Sequence, residues 1–306
     1  MVWAIFVDYK SFSGYNAFMD IIPQLILNSL IAGATYTLIA LGFNLIYGTT
    51  KFINIAHGTI AIAGAYIVLL LAKSYEIPLV FSILLGIGAA GFLGFLLYRL
   101  VFSPLLQQKA SPLVLFVSSL GAFAALESLF AIFFSSRFEV LPLPKKLQGV
   151  YEIGGGAITL LQLASILIAF LVFILLIFVM KRTKFGKVIR AISDDEEAAR
   201  IVGIDTKKMI GAVFMIGSSL GGVAGILIGF DLGFQPTSGL LILLEGAIAS
   251  IIGGIGNIYG GVLGSFLLAF VENFGIWKIS GEWKTAIALG VLVIFLIFRP
   301  KGIMQK

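Results

Sequence analysis

Apolar residues run along this chain in long blocks rather than in alternation, and short polar segments separate the blocks. The blocks predict spans near Ile21 to Tyr47, Phe52 to Ala72, Pro78 to Tyr98, Pro112 to Phe134, Ile158 to Met180, Met209 to Phe230, Leu241 to Ile255, Tyr259 to Ile276 and Thr285 to Phe298. Most of them approach the ~20 residues a helix needs to cross the hydrocarbon of a bilayer. Unbroken runs exclude the dyad pattern of a transmembrane barrel, and lipid leaves no other partner for backbone N–H and C=O groups, so helices remain. The pair Leu241 to Ile276 is the weak joint, because each half is short and Gly253, Gly254, Gly256, Gly260 and Gly261 crowd its turn. A re-entrant pair buried in protein is the second reading there. The predicted fold is an all-α integral membrane protein, a polytopic bundle of about eight to nine transmembrane helices. It forms a single domain over 21–306 after an N-terminal segment, 1–20, outside the membrane. Met1 to Lys10 does not read as a cleaved signal, since Val2 to Val7 is too short and no basic region precedes it.

The one long polar interruption runs from Lys181 to Lys208. It carries eight Lys/Arg against five acids, which marks it as cytoplasmic. Alternation then places Lys51, Arg99, Lys109, Arg299, Lys301 and Lys306 on the same side, so 14 of the 21 Lys/Arg lie inside. Ser193 and Glu196 have capping-box spacing and Gly203 suits a left-handed cap, which predicts a short helix over Asp194 to Val202. Its Ala198, Ala199, Ile201 and Val202 suit a cleft on a soluble partner. An ordinary interfacial helix is the plain alternative.

Composition agrees with the pattern. The chain is 59% hydrophobic and 12% charged, with a mean hydropathy of +1.09, and a soluble fold needs roughly twice that charge to cover its surface. The net charge of +6 is therefore a topology signal rather than a nucleic-acid footprint, and the lack of Cys excludes disulfides and thiol chemistry. Gly217, Gly221, Gly225 and Gly229 recur every fourth residue, a smooth stripe against which another backbone can lie. Gly86, Ala90 and Gly94 repeat the device on a smaller scale.

Candidate chemistry lies with the few polar groups at depth: Asn28, Asn44, Asn54, His57, Glu127, Glu245, Glu272 and Asn273. A charged group facing lipid at the bilayer centre costs about 2.5 kcal/mol or more, so such groups face an interior. Asn54 and His57 stand three apart, share a helical face, and are placed to bridge to Asn44 at an inner gate. Glu127, on a face with Ser118 and Ser119, is placed to meet an ammonium group along a path. Structural hydrogen bonds between helices, worth about 0.6 kcal/mol each, are the other explanation for these residues. Glu272 and Asn273 stand near an outer end and read as reaching water. His57 is the only histidine, which excludes His-rich metal sites and two-His catalysis, and no other ligands cluster at metal spacing. No P-loop, H-E-x-x-H or G-x-S-x-G occurs, so an enzyme is not expected and any driving energy comes from elsewhere. An ion-coupled secondary transporter built on Glu127 and Glu245 is one reading, and a channel with the glycine turn as filter another.

Asn28 to Tyr66, which includes Asn54 to Gly58 as N-x-A-H-G, resembles the opening of the LivH-type permease subunit of branched-chain amino-acid ABC importers. Gly186 to Gly229 is similar to that family's cytoplasmic loop and glycine-rich span. Ile252 to Gly261 and Phe298 to Ile303 (FRPKGI) are similar to its C-terminal signature. Two places depart from the family pattern: relatives carry a Lys near the position of Glu245, and Arg137 to Gly156 matches none of its motifs. The resemblance implies a cytoplasmic (inner) membrane subunit of a prokaryote that passes branched-chain or related amino acids inward. It implies a coupling helix, with Arg190, Ser193, Glu196, Glu197, Ala198, Ala199, Arg200 and Gly203, seated on one of two ATP-binding cassette subunits. ATP and Mg are then bound by those partners, with no cofactor in this chain. A second, LivM-type permease subunit and a soluble substrate-binding protein complete the implied assembly.

Overall fold

The computed structural model describes residues 14–144 and 147–304, with side chains from Ile21 onward in the first helix. Residues 1–13 of the predicted outer segment lie outside the described residues, and 14–20 form the first turns of helix α1 (Gly14–Thr50). Then follow α2 (Ala56–Leu69), α3 (Leu79–Leu97), the short α4 (Ser103–Gln107) and α5 (Pro112–Phe134). A hairpin of β1 (Val150–Ile153) and β2 (Gly156–Thr159) leads into α6 (Leu160–Arg182). The polar segment forms α7 (Lys184–Asp194) and α8 (Glu196–Ile201). The chain returns through α9 (Thr206–Asp231), α10 (Ser238–Gly253), α11 (Ile258–Ile276) and α12 (Lys284–Phe298). Among the described residues eight helical stretches are long and apolar enough to cross a membrane, and α10 is a shorter apolar helix.

The glycine stripe puts α9 at the centre. A Cβ at Gly217 would stand 2.9 Å from the Gly42 carbonyl of α1, and one at Gly221 would stand 3.1 Å from the His57 ring of α2. At Gly225 it would run into the Ala61 carbonyl, and at Gly229 it would press on Leu141 at 3.0 Å. Hydrogen at the first three of these positions lets the backbones of α1, α2 and α9 close to near contact, where dispersion replaces the hydrophobic force that lipid does not supply, and at Gly229 it admits the Leu141 side chain. Gly91 and Gly94 of α3 receive Ser219 and Ser218 from the opposite side of α9. In the outer half, Tyr66 gathers Phe134 and Phe234 at ring-centroid distances of 4.5 and 4.8 Å. In the inner half, Phe102 sits between Phe52 and Phe214 at 5.1 and 5.5 Å. Helices α5, α6 and α12 are peripheral, with long rows of exposed Leu, Ile, Val and Phe that suit lipid.

The interval without a family motif closes the outer end. Gln24 exchanges two hydrogen bonds with the backbone of Ala157, at 2.7 and 3.1 Å, pinning the hairpin to α1. Glu139 pairs with Phe234 through both backbone groups, and the Leu141 N–H reaches the Gly229 carbonyl at 2.9 Å. A capping box is present here, between Thr159 and Gln162 at the start of α6.

The predicted capping box at Ser193 is not formed. Thr183 caps α7, whose apolar face buries Ile189 and Ile192 on the bundle and carries the helix on to Asp194. Asp195 then caps α8, its carboxylate accepting from the Ala198 N–H at 3.0 Å. Burial of α7 sets the helix phase, and Ser193 instead donates to the Gly48 carbonyl at 2.6 Å. Gly203 does adopt φ +88°, as a left-handed cap requires.

Glu272 corrects the sequence reading most directly: it is fully buried rather than reaching water, and Asn273 is nearly so. Its Oε2 accepts from the Tyr36 hydroxyl at 2.7 Å and lies 3.9 Å from the Lys284 ammonium, which also holds Glu245 at 3.0 Å. Four helices, α1, α10, α11 and α12, meet at this cluster, and it is the main polar tie of peripheral α12. Two carboxylates share one cation, so removing the cation leaves both uncompensated.

Three outcomes are expected from thermal unfolding of the purified chain. Gly225→Ala forces its methyl into the Ala61 backbone and lowers the midpoint, an overpacking cost of about 1–3 kcal/mol. Gly121→Ala, with nothing within 4 Å of the new methyl, does not lower it. Lys284→Met lowers the midpoint more than Glu245→Gln, because only the former strands the buried Glu272 charge; equal effects would contradict the shared-cation reading.

Candidate translocation site

The sequence reads Phe52 to Ala72 as one span, but the helix begins only at Ala56. Residues 51–55 rise from the exposed Lys51 as an irregular, non-helical segment, and the Ile55 N–H and Ile53 carbonyl are both held by the Ser119 hydroxyl, at 3.1 and 3.3 Å. Ser119 stands about two turns inside α5, roughly 10 Å from its basic-side end, so α2 starts within the membrane. Helix α10 starts within it too. Its Gly239 carbonyl lies against Gly58 in the first turn of α2, after residues 232–237 descend from the end of α9 past Glu139 of the segment that follows α5. At its other end Gly253 and Ile252 accept from the Met304 and Ile303 N–H groups, both at 2.9 Å. Thus α10 and α11 end on opposite faces and are not a re-entrant pair.

Breaking a helix at depth leaves polar backbone to be satisfied by protein. Asn54 does part of this, its Oδ1 accepting from the Ala56 N–H at 3.2 Å. Its Nδ2 and the Thr59 hydroxyl have no partner, and neither ring nitrogen of His57 makes a hydrogen bond of ordinary geometry, although the Ile39 backbone comes near enough to act on the ring. These are four of the eight buried side-chain polar atoms without a hydrogen bond among the described residues, and Asn54, His57 and Thr59 are 2%, 0% and 0% exposed. The His57 ring is clamped edge-on between Gly42 and Gly221. Chemically, the start of α2 offers amide N–H, imidazole and hydroxyl groups whose hydrogen-bonding capacity is not filled in this conformation.

The other predicted residues fall elsewhere. Asn44 does not bridge to Asn54 or His57: its amide donates to the Asn257 carbonyl at 3.2 Å and accepts from the Gly256 N–H at 2.8 Å. It locks the α10–α11 turn, because a tight glycine turn leaves backbone groups that a side chain must meet. Glu127 is half-buried on α5, which packs chiefly on α2. Glu245 belongs to the Lys284 cluster, so the structure does not pair the two carboxylates. Thr59 and Tyr36 were missed, because a lone hydroxyl in an apolar run carries no signal. On the basic face Ala198 is exposed whereas Ala199 is buried, and Ile201 and Val202 are bare at 85% and 76% exposure. Glu196 pairs with Arg200 at 2.7 Å and Glu197 with Lys109 at 3.2 Å.

Comparisons with known proteins agree with this architecture. Residues 25–296 match the family model described as branched-chain amino acid transport system / permease component. The high-affinity branched-chain amino acid transport system permease protein BraD of Pseudomonas aeruginosa is 30% identical over 297 residues, 92% of this chain and 95% of the relative. The LivH permease protein of Escherichia coli K12 is 28% identical over 304 residues, with the same coverage. A chain in the structure of PsaBC from Streptococcus pneumoniae in complex with Fab shares the fold at a TM-score of 0.53 and 13% identity, covering 94% of this chain and 96% of that one. With eight helical stretches among the described residues long and apolar enough to cross a membrane and a family match over nearly its whole length, the chain belongs to the permease components of branched-chain amino acid transport systems.

Proposed function

We propose that this chain is the permease subunit of an ATP-driven importer that moves branched-chain or related amino acids inward. ATP and Mg would be bound by separate cassette subunits, and a soluble binding protein would deliver the substrate. The observation that carries the ATPase contact is α8, a capped helix on the basic face with Ile201 and Val202 uncovered. Bare aliphatic side chains in a charged loop mark a protein contact. Ala198, Glu197 and Arg200 are exposed beside them, while Ser193 ties α7 to the end of α1. Tilting of α8 by a closing partner would thus reach α1 and, through Gly42, His57.

The path itself is assigned to the first turn of α2. An amino acid needs groups for its charged ends and an oily surround for its side chain. Asn54, His57 and Thr59 would serve the carboxylate once the helices part, with Asn54 and His57 closing the gate at rest. Glu127 would line the path from α5 and meet the ammonium. A carboxylate on so peripheral a helix costs about 2.5 kcal/mol or more if it faces lipid, so a second permease subunit, of LivM type, is proposed to cover that face.

Uptake of labelled leucine, isoleucine, valine and urea into vesicles holding the whole complex, with and without ATP, tests the reading. Leucine-type uptake that requires ATP is expected, and ATP-independent uptake would overturn it. Ala198→Arg is expected to leave ATP hydrolysis running while uptake falls at least about tenfold, whereas Lys184→Gln on the neighbouring helix changes neither. His57→Ala and Glu127→Gln are each expected to reduce uptake in an assembled complex; wild-type uptake in both would leave packing as their only role.

A further inference from the structure

At the basic end of the bundle, α6 leans on α1 and α7 but barely on α9, and two contiguous cavities fill the gap. The first, about 250 Å³, opens at the membrane boundary, with Lys181 and Arg190 on its wall beside Asn257 and Tyr259, and no Asp or Glu among its lining residues. The Lys181 ammonium lies 5.1 Å from the Tyr259 ring centroid, and the Arg190 guanidinium donates to the Met180 carbonyl. Neither contact neutralises a charge. The second cavity, about 130 Å³, has an entirely apolar wall and shares Leu45 and Met180 with the first. It runs up α6 into the hydrocarbon region, with Leu175, 61% exposed, on its rim.

We propose that this pair of cavities is a binding site for one anionic phospholipid. The phosphate would sit between Lys181 and Arg190 and one acyl chain would lie in the groove between α6 and α9. Charge and depth carry the assignment together. Two cations without an acid select an anion, and basic pockets between helices at the cytoplasmic surface suit phospholipid head groups. A free phosphate would use the first cavity and leave the second without an occupant. The groove faces the bilayer, where acyl chains are the available apolar ligand. Because α7 forms the floor of the first cavity and contributes Ser193 to its lining, a lipid seated there would brace the α6–α7 corner beside the proposed ATPase contact.

Native mass spectrometry of the full chain, titrated with phosphatidylglycerol, phosphatidylcholine and inorganic phosphate, tests the site. Phosphatidylglycerol is expected to bind about tenfold or more tighter than phosphatidylcholine, and phosphate is expected not to displace it. The double variant Lys181→Gln, Arg190→Gln should lose that preference, while Lys184→Gln, Lys187→Gln, with the same change of charge on exposed residues of α7, should keep it. Should the first double variant fold poorly, a phosphatidylglycerol carrying a photoreactive acyl chain is applied to the unaltered chain, with labelling of Leu175 or Val179 expected. Equal affinity for the two lipids, displacement by phosphate alone, or labelling that avoids the groove would each overturn the proposal.

Discussion

Everything in this bundle depends on how closely the backbone of α9 can approach α1 and α2. In lipid the hydrophobic effect does not press helices together, so packing and polar contacts must do so, and both weaken quickly with distance. Gly217, Gly221 and Gly225 remove the side chains that would hold the three helices apart. The same contact clamps the His57 ring between Gly42 and Gly221. It also buries the interrupted start of α2, which could not survive in contact with lipid.

That burial explains why the broken helix is both costly and useful. Ser119 and Asn54 satisfy only part of the exposed backbone, and Asn54, His57 and Thr59 keep unused hydrogen-bonding atoms in a sealed place. Each such group destabilises the closed state by about 1–3 kcal/mol relative to a paired one. A conformation in which a polar substrate meets them recovers that energy. On the proposed reading the site would be poised between a tightly packed resting form and one in which α1, α2 and α9 separate.

The spans were legible because unbroken apolar length is itself the requirement for crossing a bilayer, and the glycine stripe because its four-residue period lays one face along a helix. The basic loop was legible in charge but not in register. Ser193 and Asp195 both suit an N-cap, and only the burial of Ile189 and Ile192 chooses between them. The late start of α2 was hidden for a different reason: Phe52, Ile53 and Ile55 are as apolar in an irregular segment as in a helix. Glu272 was misread as wet because its partners, Tyr36 and Lys284, come from helices far apart in the chain or beyond a turn. Asn44 was assigned to the wrong neighbour since the spacing that relates it to Asn54 along the chain says nothing about the α10–α11 turn it holds.

The central claim is that the first turn of α2 is sealed at rest and opens during transport. The chain has no native Cys, so single cysteines at Asn54, His57 and Thr59 can be read without background. Their reaction with a membrane-impermeant thiol reagent is measured in the assembled transporter, at rest and during ATP turnover with substrate. The account predicts no labelling at rest and labelling at one or more of the three positions during turnover, with leucine slowing it. Labelling at rest, or none under turnover in a complex that transports, would contradict it.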